Sequence, residues 1–106
     1  MDLIEIYTAV ATPEEAQQIA SALVNRKLAA CAQITAIESY YSWEGSLQQS
    51  VEYRISIKSI AANYSTVEKA IIELHSYTLP AIYALPVLHA YAPYTDWLLE
   101  NTTAQI

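Results

Sequence analysis

Cys31 and His75 are the first residues of this sequence to consider as metal ligands. Cys31 is the only thiol in the 106 residues, within "KLAACAQI" at positions 27–34. A soft thiolate suits Cu(I), but a lone thiol needs a histidine or a second thiolate brought close by the fold or by another subunit. Alanines flank Cys31 where a helical pattern gives way to a strand-like one. Free cysteine is often buried, so a small core side chain is the competing interpretation.

His75 is the best single candidate for a metal ligand. The sequence predicts that it lies on the last turn of the second helix, followed by Ser76 and Tyr77. A protonated imidazole favours a helix C-terminus, and this helix-end role competes with a ligand role for the neutral ring. The other histidine, His89, is expected at the surface. The chain offers no paired-cysteine spacing, so the metal signal is weak on its own.

Aromatic residues form the second candidate site. Tyr41 and Trp43 share a strand face at a spacing of two, and Tyr77 and Trp97 complete a predicted cluster. Such residues are common in packed hairpins and in subunit interfaces. A cleft lined by aromatic rings with a few polar groups is also typical of a small-molecule pocket.

Glu52 and Lys58 are predicted on one strand, six residues apart and on the same face. At a rise of about 3.3 Å per residue they are too far apart to pair directly. Each is therefore expected to meet a partner from another strand or subunit.

The sequence contains none of the common catalytic motifs. It has no Gly-x-Ser-x-Gly and no His-Glu-x-x-His, and its single glycine, Gly45, leaves no glycine-rich phosphate loop. The protein is therefore not expected to be an enzyme.

Composition narrows the partners and the compartment. The formal net charge is −6 with no basic run, which argues against nucleic acid and anionic membranes as partners. Hydrophobic residues make up 54% and charged residues 15%, so some apolar surface is expected between subunits. The acidic N-terminal residues, the lack of a long apolar stretch and the lone cysteine together predict a cytoplasmic protein.

Hydrophobic periodicity predicts four strands and three helices in one domain over residues 1–106. The predicted elements are a central strand at 2–10, a helix from Pro13 to near Leu28, strands at 29–41 and 51–57, a helix at 63–77, a strand at 81–91 interrupted by Pro86, and a helix at 93–102. This βαββαβ order predicts an α+β, ferredoxin-like sandwich with an extended hairpin and a short C-terminal helix.

Local signals mark the ends of several elements. Thr12 and Pro13 suit a helix start, and Glu15 is placed to reach back in a capping box. Asn63 or Ser65 is expected to cap the second helix. Gly45 is expected at the reversal of an antiparallel hairpin, and Pro86 indicates an edge strand or a bulge.

The short sequence motifs between these elements resemble those of the CutA family, small ferredoxin-like proteins named for divalent-cation tolerance. The matching stretches are "KLAAC" (27–31), "SYYSWEG" (39–45), Glu52, Lys58, "LHSYTLPAI" (74–82), "ALPV" (84–87) and "YTDWL" (94–98). The resemblance implies a homotrimer whose long hairpins wrap onto neighbouring subunits. It also implies metal binding, most often of copper, and a role in metal tolerance.

The same resemblance places His75 near Tyr41, Trp43, Glu52 and Lys58 in an intersubunit cleft. Three positions depart from the family pattern. Ala81 stands where a glutamate is usual, Ser76 stands where a proline commonly follows the histidine, and Val10 stands where some members carry a cysteine. A metal site here is therefore expected to be poorer in ligands.

Two hypotheses follow. The first is a homotrimer that binds copper or another divalent cation at the intersubunit cleft, with ligands His75, Cys31 and Glu52. The second is a trimeric signalling or scaffold module that binds a small molecule or a partner protein in a cleft lined by Tyr41, Trp43, Lys58, Tyr77 and His75. Because Ala81 provides no carboxylate, this sequence favours the second hypothesis.

Overall fold

The computed structural model describes residues 2–105 as a four-stranded antiparallel sheet with three α-helices. The elements are β1 (Leu3–Val10), α1 (Pro13–Asn25), β2 (Cys31–Trp43), β3 (Ser46–Ile60), a single 3₁₀ turn (Ala61–Asn63), α2 (Tyr64–Leu74), β4 (Ile82–Pro86) and α3 (Ala92–Glu100). The strand order in the sheet is β2-β3-β1-β4. The predicted βαββαβ order and the central position of the first strand are confirmed.

One face of the sheet packs against α1 and α2. Side chains alternate along a strand, so Ile4, Ile6 and Val10 of β1 point to the same face as Ile55 and Ile57 of β3. The helices add an apolar stripe to this core: Ala16, Ile19 and Leu23 from α1, and Val67, Ala70 and Ile71 from α2. Burying each large apolar side chain contributes about 1.5–3 kcal/mol relative to exposure.

The opposite face of the sheet, which we call the open face, is covered at one end by α3. Leu98 of that helix packs with Leu3, Ala30 and Ile60. Farther along, the open face carries polar, aromatic and aliphatic side chains that remain partly exposed, among them Tyr83 and Leu85 of β4.

The hairpin of β2 and β3 is longer than predicted and projects beyond the rest of the sheet. Its two-residue turn consists of Glu44 and Gly45, both with positive φ, and joins Trp43 directly to Ser46. This geometry matches the right-handed twist of paired strands, and it confirms Gly45 as the turn residue. Because β1 ends opposite Tyr53, residues 46–52 of β3 pair with β2 alone.

The start of α1 is confirmed, but its predicted capping box is not. Thr12 Oγ1 accepts a hydrogen bond from Glu15 N at 3.2 Å, and Pro13 occupies the first helical position. The Glu15 carboxylate turns away from the cap and accepts hydrogen bonds from Ser76 N (2.8 Å) and Ser76 Oγ (3.0 Å). A tertiary contact thus replaces the local one.

The end of α1 comes earlier than the predicted position near Leu28. The helix ends at Asn25, and Lys27 adopts a left-handed conformation with φ 58°. Leu28 N then donates to Leu23 O at 3.0 Å, which closes a Schellman-type end without glycine. The apolar pattern continues to Leu28 because that residue is buried after the helix has ended.

Helix α2 also differs at both ends. Asn63 lies at the N-cap position, but its side chain makes no capping bond. It is buried and donates to Leu28 O (3.3 Å) and Thr103 O (2.9 Å) while accepting from Gln105 N (2.8 Å), which holds residues 103–105 against the body. The helix ends at Leu74, so His75 lies just beyond it in an extended conformation.

Strand β4 is shorter than predicted and lies at the edge of the sheet, as Pro86 indicates. Within residues 2–105 no helix is long and apolar enough to cross a membrane.

Thr8 provides a test of the core. It is 1% exposed, it faces the helices, and its Oγ1 has no hydrogen-bond partner among the described residues. A buried unpaired hydroxyl is costly, so Thr8→Val is expected to raise the free energy of unfolding by about 1 kcal/mol, measured by chemical denaturation at fixed protein concentration.

The matched control is Thr102→Val. Thr102 is also buried, but its Oγ1 donates to Leu98 O at 2.8 Å. This second variant is expected to lose about 1 kcal/mol. Equal effects of the two variants would contradict the assignment of Thr8 as unpaired.

Candidate functional site

A cleft of about 800 Å³ lies between the projecting hairpin and the segment that follows α2. Its lining comes from the end of β1, from both hairpin strands and from residues 76–81: Ala9, Glu38, Ser39, Tyr40, Tyr41, Trp43, Glu52, Ser76, Tyr77, Thr78, Leu79 and Ala81. Of the predicted cleft residues, Tyr41, Trp43 and Tyr77 lie here, and so does the predicted ligand Glu52.

The early end of β1 creates the space. Beyond Val10 the chain turns into α1, so within residues 2–105 no third strand accompanies the outer part of the hairpin. The segment after α2 occupies part of this space, and the hydrogen bonds from Ser76 to Glu15 tie it to the first turn of α1.

A hydrogen bond joins the two walls of the cleft. Tyr77 Oη donates to Glu52 Oε2 at 2.8 Å, which links the segment after α2 to β3. The pKa of the Tyr77 phenol is well above its usual value of 10.0, first because of burial and then because of Glu52, with smaller effects from Tyr41 and Glu15. Tyr77 therefore stays a neutral donor throughout the physiological pH range.

His75 uses both ring nitrogens within the protein. Its side chain is fully buried, Nδ1 accepts from Tyr77 N at 3.1 Å, and Nε2 lies 2.8 Å from Ala9 O. An N–H group needs an acceptor and a carbonyl needs a donor, so the ring is the neutral tautomer with its proton on Nε2. The Glu15 carboxylate lies 3.9 Å from Nδ1. Binding a metal ion here would require breaking one of these hydrogen bonds.

Cys31 and Lys58 lie away from the cleft. They face each other across the β2–β3 ladder, whereas Glu52 pairs with Ile37, six residues farther along. That separation is about 20 Å at the usual strand rise. Among residues 2–105 no three His, Cys, Asp or Glu side chains lie close enough together to hold a metal ion. A single chain thus does not bring His75, Cys31 and Glu52 into a shared site.

Lys58 belongs to a polar network on the open face. Its Nζ donates to Gln33 Oε1 (2.5 Å) and Ser56 Oγ (2.9 Å) and lies 3.4 Å from Glu5 Oε1. Ser56 Oγ donates to the same Glu5 oxygen at 2.5 Å. The Ser56 hydrogen bond is the main cause that lowers the pKa of Glu5, with help from Tyr7 and Lys58 and against the opposing effect of burial.

Next to this network the open face is aromatic. Tyr7 stacks on Tyr83 with ring centroids 5.5 Å apart, and the Arg54 guanidinium lies 5.2 Å from the centre of the Tyr7 ring. The contact between Arg54 and Tyr7 has cation–π geometry.

Sequence reasoning missed Glu15, Ser76 and Glu5 as site-building residues. The local capping signal at Glu15 hides its tertiary role, and the sequence marks Ser76 by its departure from the family pattern. The parity of β1 provides a signal for Glu5, because Leu3, Glu5 and Tyr7 share one face. Finding its partners also requires the β1–β3 register.

Comparison with known proteins identifies the chain's relatives. Residues 4–101 match the family described as CutA1 divalent ion tolerance protein. The chain belongs to the CutA1 family. Two relatives named divalent-cation tolerance protein CutA are similar over most of their length: that of Thermus thermophilus (36% identity, 92% of this chain, 95% of the relative) and that of Archaeoglobus fulgidus (35%, 91% and 94%).

Solved CutA structures share the fold. The structure of the periplasmic divalent cation tolerance protein CutA from Archaeoglobus fulgidus matches with a TM-score of 0.91 and 33% identity, covering 93% of this chain and 97% of the other. CutA1 from Oryza sativa matches with a TM-score of 0.94 and 31% identity, covering 97% and 95%. The family resemblance inferred from short sequence motifs is therefore confirmed over nearly the whole chain.

The prediction of a cytoplasmic location is wrong. The Archaeoglobus fulgidus protein is called periplasmic, and CutA relatives from Arabidopsis thaliana and rice are called chloroplastic. The compartment of a CutA1 family member does not follow from acidic N-terminal residues and a lone cysteine.

The three departures of this CutA1 family member from the expected pattern have different surroundings. Val10 is fully buried in the core, and Ala81 lines the cleft without offering a carboxylate. Ser76 donates its backbone N–H to Glu15. A proline at this position has no backbone N–H and could not make this hydrogen bond. The hydrogen bond between residues 76 and 15 therefore depends on this departure.

The Glu5 network makes stability depend on pH. Because the folded protein lowers the pKa of Glu5 below its ordinary value of 4.5, the ionised form stabilises the fold. This contribution is present above pH 4.5 and is lost as the pH falls through the lowered pKa. Glu5→Gln is expected to unfold more easily at pH 7, with the difference from the parent shrinking below pH 4.5.

Denaturation curves between pH 7 and pH 2.5 check this prediction. Ser56→Ala removes the main donor and lets the pKa of Glu5 return toward 4.5, so the loss of stability in acid is expected to be smaller than in the parent. A constant difference between the parent and Glu5→Gln over the whole range would contradict the linkage.

Proposed function

We propose that this CutA1 family member serves the response to divalent metal ions as a homotrimer whose working site is the cleft between the hairpin and residues 76–81. The observation that carries the proposal is the cleft itself. It has room for a small organic molecule, and aromatic rings and a few polar groups line it.

A small-molecule ligand fits this cleft better than a metal ion held by one subunit. The His75 imidazole is buried and doubly hydrogen-bonded, and Glu52 already accepts from Tyr77. Ala81 provides no carboxylate. The polar groups at the cleft thus position its walls and are available to bind a ligand that has both polar and apolar parts.

The homotrimer is proposed from the family resemblance and from exposed apolar side chains. On the hairpin, Leu47 is 79% exposed and Val51 is 58% exposed, and both lie outside the lining of the cleft. A patch of this kind on a small protein is typical of a subunit interface. Each subunit would be a single domain of residues 1–106, as predicted.

Binding of copper or another divalent ion is the second candidate function. The observation that favours it is the Glu15 carboxylate, which lies 3.9 Å from His75 Nδ1. If Nδ1 gave up its hydrogen bond with Tyr77 N, the carboxylate and the imidazole could bind the same ion. Under this proposal His75 and Glu52 are ligands, and Cys31 must come from another subunit because of its place in the ladder.

A variant that fills the cleft tests the first proposal. Ala81→Trp places a large ring in the cleft, and Ala62→Trp places one on an exposed turn elsewhere as the control. In cells that lack the native gene, growth in excess Cu²⁺ or Zn²⁺ is expected to be restored by the parent and by Ala62→Trp but not by Ala81→Trp. Full restoration by Ala81→Trp would rule out the cleft as the working site.

Titration calorimetry with Cu²⁺ and Zn²⁺ tests the second candidate. Stoichiometric binding that His75→Ala abolishes is the result expected of a metal site, whereas a site that uses Cys31 also weakens in Cys31→Ala. Binding that neither variant changes would exclude both residues as ligands. Light scattering on the same sample is expected to give three times the chain mass of 11.8 kDa.

A further inference from the structure

The charge of the cleft restricts what it binds. Among the described residues that line it, the two charged ones are carboxylates, Glu38 and Glu52. Two of the chain's five cations, Arg54 and Lys58, are engaged on the open face by Tyr7 and by Glu5. An anionic ligand would therefore meet two carboxylates in the cleft and no cation among the described residues that line it.

The aromatic wall has the same preference. The β2–β3 register places Tyr41 and Trp43 on the strand face that carries Glu52. Both residues are more than two-fifths exposed, at 42% and 44%. The face of an aromatic ring is the negative part of its quadrupole, and it attracts ammonium groups.

Glu52 has capacity for one more partner. Tyr77 binds its Oε2, and no other side-chain hydrogen bond to this carboxylate is present among residues 2–105. Oε1 is thus available to a ligand at the junction of the two walls. The raised pKa of Tyr77, caused by burial and then by Glu52, agrees with an electronegative environment at this point.

We propose that the cleft binds an organic cation, an amine or quaternary ammonium group joined to an apolar body, with the charge beside Glu52 and the body against Tyr41 and Trp43. This inference rests on the proposed function of the cleft. An organic cation is favoured over a metal ion for two reasons. The rings and Leu79 supply apolar contact, which suits a weakly hydrated group. The cleft also gathers too few ligands for a metal ion.

Three probes of one shape and different charge test the proposal: 2-phenylethylamine, 2-phenylethanol and phenylacetate. In calorimetry at pH 7, the amine is expected to bind about tenfold more tightly than the alcohol, and phenylacetate is expected to bind most weakly. Ala81→Trp is expected to abolish binding of the amine, which locates it in the cleft.

Two matched variants separate the local charge from the net charge. Glu52→Gln keeps an acceptor for Tyr77 but removes the charge. It is expected to weaken binding of the amine about fivefold and to leave the affinity for the alcohol unchanged. Glu100→Gln makes the same change in net charge at an exposed position on α3, and it is expected to leave both affinities unchanged.

The outcomes distinguish the two proposals. If the alcohol binds as tightly as the amine, the cleft binds small molecules but its preference for cations is wrong. If Glu100→Gln weakens the amine as much as Glu52→Gln, the attraction is general and the site beside Glu52 is wrong. If none of the three binds, as when another copy of the chain fills the cleft, both the small-molecule function and the cation inference are overturned.

Discussion

The early end of β1 is the constraint on which the rest of the structure depends. Thr12 and Pro13 start a helix two residues after the strand ends at Val10, and proline cannot donate to a strand ladder. β3 runs on for seven more residues beyond the body, at positions 46–52, with β2 as its only neighbour. The cleft is the space that a longer β1 would have filled.

Side chains that look like reactive groups hold this space open. His75 links Ala9 of β1 to the backbone at Tyr77, and Glu15 links the first turn of α1 to Ser76. An imidazole with both nitrogens satisfied is a rigid connector, since turning it away would leave buried polar groups unpaired. The family name refers to divalent cations, whereas the donor groups of this chain are largely committed to one another.

The sequence predicts the elements better than the contacts between them. Gly45 marks the hairpin reversal and Thr12 the start of α1 because both signals are local, and strand parity correctly groups Tyr41 with Trp43. The partners of Lys58, Glu15 and His75 could not be predicted in this way. Those partners lie across the sheet register or on separate elements, and several side chains compete for each of them. The resemblance to the family supplied the right fold but placed Lys58 in a cleft that it does not line in the single chain.

The compact turn at Glu44 and Gly45 also has a consequence for how the chain reaches its native state. The β2–β3 ladder joins residues that are neighbours in sequence, so it can zip outward from the turn with little loss of chain entropy. Pairing of β1 with β3 and with β4 must instead close loops of more than forty and more than seventy residues. Loop-closure entropy therefore predicts that the capture of β1 between β3 and β4 is the slow step of folding.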